Sequence, residues 1–455
     1  MAVNARELAL KVLKEVDEDG AYANLALNKI LEKYELKKLD RSFITELSYG
    51  TLKRLNTLDW ILSRFLKKPL AAQTVWVRNI LRLATYQVVF MERVPNAAAC
   101  NEAVELTKKY AYKGIVRFVN GVLRNLVREI DNIEFPDINC DSVSHISLKY
   151  SHPNWIVQKW LEDYDIKLTV NLCKANNEIP PNTVRVNTLK IDRYNLISRL
   201  KKEGVEAIKT KYSSDGINIS GFFSYRKLPA FREGLFQVQD ESSMLASQIL
   251  NPAHGSRIID CAAAPGGKTT HLAQLVENTG EIHAFDLHPY KLELIKQNCK
   301  RLGITNVICH VQDVRMLSEK WDEYADYVLL DAPCSGLGVL RRRPDARWRK
   351  ELEQIKTLVK LQREMLDKIS RCVRPGGVLV YSTCTITEEE NISQIKTFLK
   401  RHDEFTLEDL TPFLPAALQD EQGAKEGFIQ LWPHRHYTDG FFIARMRKKR
   451  ANILS

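Results

Sequence analysis

At 455 residues with 44% hydrophobic side chains, the chain is too long for one ordinary core and too apolar for disorder, so two or three packed domains are expected. No stretch approaches the roughly 20 uninterrupted apolar residues that cross a bilayer, and residues 1–8 carry no secretory h-region, which argues against membrane and secreted proteins and for a cytoplasmic one. Lys and Arg total 67 against 56 Asp and Glu, and the net charge of +11 favours a polyanionic partner.

Residues 1–130 read as almost entirely helical, with apolar positions at three- and four-residue spacing in 7–13 and 75–83. Basic side chains recur there (Arg78, Arg82, Lys108, Lys109, Lys113, Arg117, Arg124, Arg128), predicting an all-α bundle with a positive face. The turn-rich stretch 131–141 marks a linker. Residues 145–235 mix helical patterns with short strand-like runs at 183–187 and 216–219, which suggests a small α+β module. From 236 to 448, apolar strands at 257–260, 281–286, 307–311, 327–331 and 377–382 alternate with longer helices, as in a doubly wound, mainly parallel α/β sheet. Ligands of such sheets sit beyond the carboxyl ends of the strands.

At the first of those ends, Asp260 runs into Cys261, Ala262, Ala263, Ala264, Pro265, Gly266, Gly267 and Lys268, then a helical stretch. Small residues and two glycines let backbone approach a ligand, and the helix N-terminus offers N–H groups to a carboxylate, so a nucleotide-like cofactor is expected. A P-loop is not, because its first glycine would fall at Ala262. Asp286 ends the second strand, where an acid accepts hydrogen bonds from ribose hydroxyls; Asp313 and Asp331 follow the third and fourth. The nine cysteines show no CxxC pair and no Cys/His cluster at zinc spacing, so free thiols and no metal are expected. Two of them, Cys334 and Cys384, fall at strand ends beside the cofactor loop and are candidates for covalent chemistry. Past the fourth strand, Arg341, Arg342, Arg343, Arg347, Trp348 and Arg349 suit phosphate contact and base stacking.

These residues resemble the bacterial ribosomal RNA cytosine-5 methyltransferases of the RsmB (Sun, Fmu) type, within the NOL1/NOP2/Sun superfamily. The resemblance spans nearly the whole chain: 40–51 in a stretch similar to the NusB antitermination factor, 151–153 and 185–188 in the middle module, 238–243, the Pro-Gly-Gly-Lys loop, Asp331-Ala332-Pro333-Cys334-Ser335-Gly336, Ser382-Thr383-Cys384 and 433–442. One departure is that Cys261 stands one place early and Ala262 holds the usual cysteine position. The resemblance implies S-adenosylmethionine (SAM) held by Ala262 through Lys268 with Asp286, Asp313 and Asp331. It also implies Cys384 as nucleophile, Cys334 as an aid to product release, and 16S ribosomal RNA as substrate at the cytosine the family numbers 967.

That chemistry requires a thiolate. Carbon 5 of cytosine is too weak a nucleophile to displace a methyl group until a thiolate adds at C6 and makes C5 enamine-like. Lys268 is a candidate source of the positive charge that favours the thiolate, and Asp331, if protonated or sharing a proton, is the candidate to hydrogen-bond the N3 side of the ring. A monomer is expected. The other readings are a transfer-RNA or DNA cytosine methyltransferase, the two-cysteine arrangement opposing DNA, and a non-catalytic RNA-binding or antitermination protein on the same fold.

Overall fold

The structure is a computed structural model that describes residues 4–450; Met1–Val3, part of the opening without a secretory h-region, lie outside them. The chain forms two compact units, the first running to Glu178 and also taking in Leu340–Lys350, the second comprising Ile179–Val339 and the chain from Glu351. Among the described residues no helix is long and apolar enough to cross a membrane.

The first unit is helical. Its principal helices are Ala5–Asp17, Ala23–Lys33, Lys38–Lys53, Leu55–Ser63, Val75–Phe90, Asn96–Tyr110 and Lys113–Glu129. Side-chain caps set several starts: Asn4 accepts from the backbone of Arg6 and Glu7, and Thr74 from Val77. The apolar stripes meet in one core that includes Leu10, Leu13, Ile44, Leu47, Leu62, Ile80 and Leu123. Gly50 is needed there, because a Cβ would stand 2.1 Å from the ring of Tyr86. The helices Ser142–Tyr150, Asn154–Asp163 and Ile166–Ala175 also belong to this unit, so the turn at 131–141 does not end it as the sequence suggested.

The expected positive face is narrower than composition implied. Arg78 and Arg82 pair with Asp17 and Asp59, and Lys109 pairs with Glu7. Lys113, Arg117, Arg124 and Arg128 are exposed, and their spacing puts them on one side of the helix Lys113–Glu129.

Leu340–Lys350 corrects the sequence expectation most directly. Arg347 is fully buried, donating to the carbonyls of Ser151 and Asn176 at 2.9 Å each and to Asn177 Oδ1 at 3.0 Å. The Trp348 indole donates to Leu52 O at 2.7 Å, and Arg349 donates to the carbonyls of Gly20 and Ala21. Arg341 is buried as well. Arg341, Arg347, Trp348 and Arg349 are therefore occupied as packing and hydrogen-bonding parts of the helical unit rather than presented to phosphate. Helix ends and turns leave carbonyls that need donors, and a guanidinium fork satisfies several at once.

In the second unit, β1 (Asn182–Val186), β2 (Glu206–Lys209), β3 (Gly216–Ser220) and β4 (Phe236–Val238) form an antiparallel sheet of order β2-β3-β1-β4. The helix Arg193–Lys202 covers it through Leu196 and Leu200. The larger sheet comprises β5 (Arg257–Asp260), β6 (Glu281–Asp286), β7 (Val307–Val311), β8 (Ala325–Asp331), β9 (Val373–Thr383), β10 (Phe405–Leu407), β11 (Phe428–Leu431) and β12 (Phe441–Lys448). Its order is β10-β12-β9-β8-β5-β6-β7, with β11 paired to β12.

Strands β5 to β9 are parallel and β10 to β12 add an antiparallel flank. The parallel strands are apolar at successive positions because both faces are covered: Ile258 and Leu329 join one core, Ile259, Val328 and Leu330 the other. The order reverses between β5 and β8, which places a crevice beyond their carboxyl ends.

Replacing Arg347 with Met is expected to lower the stability of the helical unit by about 2–4 kcal/mol, because buried carbonyls lose their donor. Hydrogen exchange should quicken around Ser151 and Asn176; unchanged protection there would show that the guanidinium is dispensable.

Candidate active site

The cofactor loop is shaped by backbone contacts to the neighbouring strands. Cys261 N–H donates to Leu329 O and Ala263 N–H to Phe285 O, each at 2.9 Å, fixing the turn between β8 and β6. Gly266 has a φ of 95°, and a Cβ there would meet Ile295 at 3.2 Å. The helix Gly267–Leu275 follows with no side-chain cap, leaving its N-terminal donors for a ligand. Arg185, fully buried on β1, braces this helix by donating to Gly267 O at 2.6 Å and Thr270 Oγ1 at 3.0 Å. Within the Arg-Val-Asn-Thr motif, Arg185 thus braces the loop's helix, while Asn187 donates to Gly234 O and Leu302 O.

Asp286 ends β6 and accepts from the backbone of His288 at 3.0 Å. Asp313 follows β7 and is held by Arg315 at 2.7 Å, an ion pair that keeps its carboxyl below the usual range. An uncapped helix N-terminus and a strand-end carboxylate fit a cofactor carrying a carboxylate and ribose hydroxyls.

Lys268, itself nine-tenths buried, places its ammonium 2.6 Å from Asp331 Oδ2 and 5.1 Å from the centre of the Phe441 ring. Ser382 donates to the other oxygen, Oδ1, at 2.9 Å. Both oxygens of Asp331 thus face donors, which ties it to the cofactor loop through Lys268 and to β9 through Ser382.

Cys334 and Cys384 come together, their sulfurs 3.3 Å apart, a thiol contact rather than a disulfide. Main-chain bonds bring the two turns into register: Ala332 N–H donates to Ser382 O at 2.8 Å, Gly338 N–H to Cys384 O at 3.1 Å, and Gly440 N–H to Gly338 O at 2.9 Å. Gly338 allows this approach, since a Cβ would lie 2.1 Å from Gly440 O. Its hydrogen bond to Cys384, its burial and the nearby Glu390 and Asp331 push the Cys334 thiol up. Glu390 and Asn391, beneath these turns, were missed: the run Glu388-Glu389-Glu390 reads as loop polarity, and nothing in its spacing marks one glutamate as buried.

Asp260 is buried against Thr269, whose hydroxyl donates to Oδ2 at 2.7 Å. Burial pushes its carboxyl up from 3.8 to about 7. The folded chain then binds more protons than the unfolded chain between those values. The group's stabilising contribution is full below about pH 4 and is lost as pH rises through about 7. Asp260→Asn is expected to flatten this part of the stability profile; equal slopes of urea midpoint against pH in both proteins would count against it.

Comparison with known proteins agrees with this geometry. The 16S rRNA methyltransferase RsmB/F family matches residues 247–447, the NusB family matches 3–128, and an RsmF/B-like ferredoxin-like domain matches 152–225. The chain is 38% identical to a probable ribosomal RNA small subunit methyltransferase B of Bacillus subtilis (strain 168) over 98% of this chain and 99% of that one. It is 34% identical to ribosomal RNA small subunit methyltransferase B of Vibrio vulnificus (strain YJ016), over 98% and 100%. The crystal structure of PH0851 superposes with a TM-score of 0.81 at 29% identity, covering 98% of this chain and 100% of that one. NSun6 from Pyrococcus horikoshii with SFG superposes at 0.59 with 29% identity, covering 65% and 98%. With relatives matched end to end and the strand-end residues assembled at one edge of the sheet, the chain belongs to the RsmB family of 16S rRNA methyltransferases.

Proposed function

We propose that this chain methylates carbon 5 of a cytosine in 16S ribosomal RNA, the one the family numbers 967, through a covalent adduct between Cys384 and ring carbon 6. The observation that carries the reading is the 3.3 Å approach of the Cys334 and Cys384 sulfurs at the ends of adjacent strands that also present Asp331. SAM, when bound, supplies an electrophilic methyl group. The loop Ala262, Ala263, Ala264, Pro265, Gly266, Gly267 and Lys268 holds its carboxylate end, Asp286 accepts from its ribose, and Asp313, oriented by Arg315, and Asp331 complete the wall.

In this reading the thiol pair carries one proton fewer than two thiols, with Cys334 S–H donating to the Cys384 thiolate. The thiolate adds at C6, and Asp331, sharing a proton with Lys268, hydrogen-bonds the N3 side as negative charge moves into the ring. After transfer the C5 proton leaves, its electron pair forms the C5=C6 bond, and the C6–S bond breaks to return the Cys384 sulfur. For the RNA, Lys113, Arg117, Arg124 and Arg128, with Arg342 and Arg343, supply the phosphate contacts, while Arg347 belongs to the interior. The protein acts as a cytoplasmic monomer, in the compartment of its substrate.

Transfer from labelled SAM to unmodified 16S ribosomal RNA, with the product base mapped, tests the assignment. Cys384→Ala is expected to abolish transfer, and Cys334→Ala to accumulate a protein–RNA adduct. Labelling of transfer RNA instead would keep the chemistry and discard the substrate; labelling of neither would favour a binding protein.

A further inference from the structure

Beneath the two thiol turns lies a buried carboxylate that the steps above do not use. Glu390 is fully buried, just ahead of the helix Ile392–Arg401. Its Oε1 accepts from Ser335 N–H at 2.7 Å and Gln362 Nε2 at 3.0 Å, and its Oε2 from the hydroxyls of Ser335 at 2.5 Å and Thr387 at 2.6 Å. Each partner donates, which uses a carboxylate's lone-pair sites in full. The Ser335 proton is committed to Glu390, so at their 2.7 Å contact Thr385 donates to Ser335.

Ser335 follows Cys334 and Thr385 follows Cys384, so this one carboxylate grips the residue after each cysteine, the first directly and the second through one hydroxyl. The main chain of Glu390 is fixed too, its carbonyl accepting from Tyr381 at 2.7 Å. Asn391 adds a lock on Cys384, accepting from Thr383 Oγ1 at 2.6 Å and donating to Thr385 O at 3.1 Å. Burying a carboxylate is costly unless hydrogen bonds compensate it, and four donors do so here.

We propose that Glu390 is a positioning residue for adduct release, holding the Cys334 turn against the Cys384 turn so that the Cys334 S–H meets the sulfur leaving C6. The inference rests on the reading of Cys384 as nucleophile. In the release step a water molecule takes the C5 proton and the C5–H pair becomes the C5=C6 bond. The C6–S pair stays on the Cys384 sulfur, which receives its hydrogen bond from Cys334. A carboxylate close to Cys334 also disfavours its thiolate and so keeps that proton in place.

The test is Glu390→Gln in the full-length protein, which keeps the size and removes the charge and one acceptor. With labelled SAM and unmodified 16S ribosomal RNA, first-turnover methyl transfer should fall far less than multiple turnover, and KM for SAM should be unchanged. Multiple turnover should fall ~10²-fold, and a protein–RNA adduct should persist on a denaturing gel. The adduct must vanish in Glu390→Gln/Cys384→Ala. Ser335→Ala removes a single hydroxyl, so it should give a weaker form of the same partition and keeps the test decisive if Glu390→Gln does not fold. Normal turnover in the folded variants, or equal loss of first and later turnovers without adduct, overturns the proposal. In that case, adduct in Cys334→Ala leaves the nucleophile assignment standing. Methyl transfer by Cys384→Ala removes both.

Discussion

The Lys268–Asp331 pair, 2.6 Å long, ties the turn after β5 to the turn after β8 across the point where the strand order reverses. Lys268 opens the helix that follows the glycine loop, and Asp331 opens the motif that carries Cys334. Breaking such a pair by removing one partner leaves a largely buried charge uncompensated, a loss of ~3–5 kcal/mol. The cofactor loop and the thiol turn therefore stand or fall together. Arg185 makes a similar connection from below, so the loop is held from both the small sheet and the large one.

The electrostatics of the site are divided along the sheet edge. Asp313 is neutralised by Arg315, and Asp331 by Lys268 with help from Ser382. Asp260 is buried against a hydroxyl, and burial raises its carboxyl. Four acids at strand ends look alike in sequence, and their partners give each a different character. The thiols show the same contrast: Cys334 and Cys384 touch, while Cys261, one place before the usual family position, is buried in the core beside Ile259 and Phe285.

Much of the second unit was legible because parallel strands, buried on both faces, write themselves as apolar runs, and β5, β6 and β8 end in acids. The runs at 257–260, 281–286 and 307–311 are β5, β6 and β7 to the residue. The antiparallel flank was not announced, because β10 and β11 are short and lie among turns. The first unit's helices were visible in their spacing, but the sorting of Arg78, Arg82 and Lys109 into ion pairs was not, since partners such as Asp17 and Glu7 lie far off in sequence. Arg347 and Glu390 failed for one shared reason. A charged residue is read as exposed by default, and only its collected carbonyls or donors show otherwise.

The membership of Leu340–Lys350 in the helical unit bears on how the chain is made. Arg347 donates to Ser151, 196 positions earlier. On the ribosome the helices to Ala175 emerge first, yet the carbonyls of Ser151 and Asn176 wait for a donor until more than half of the remaining chain has been synthesised. Domains usually complete themselves in order of emergence. Here the first one closes only after β5 to β8 have passed the exit, so its final consolidation is a late, long-range event, and a fragment stopping at Glu178 would lack its own keystone.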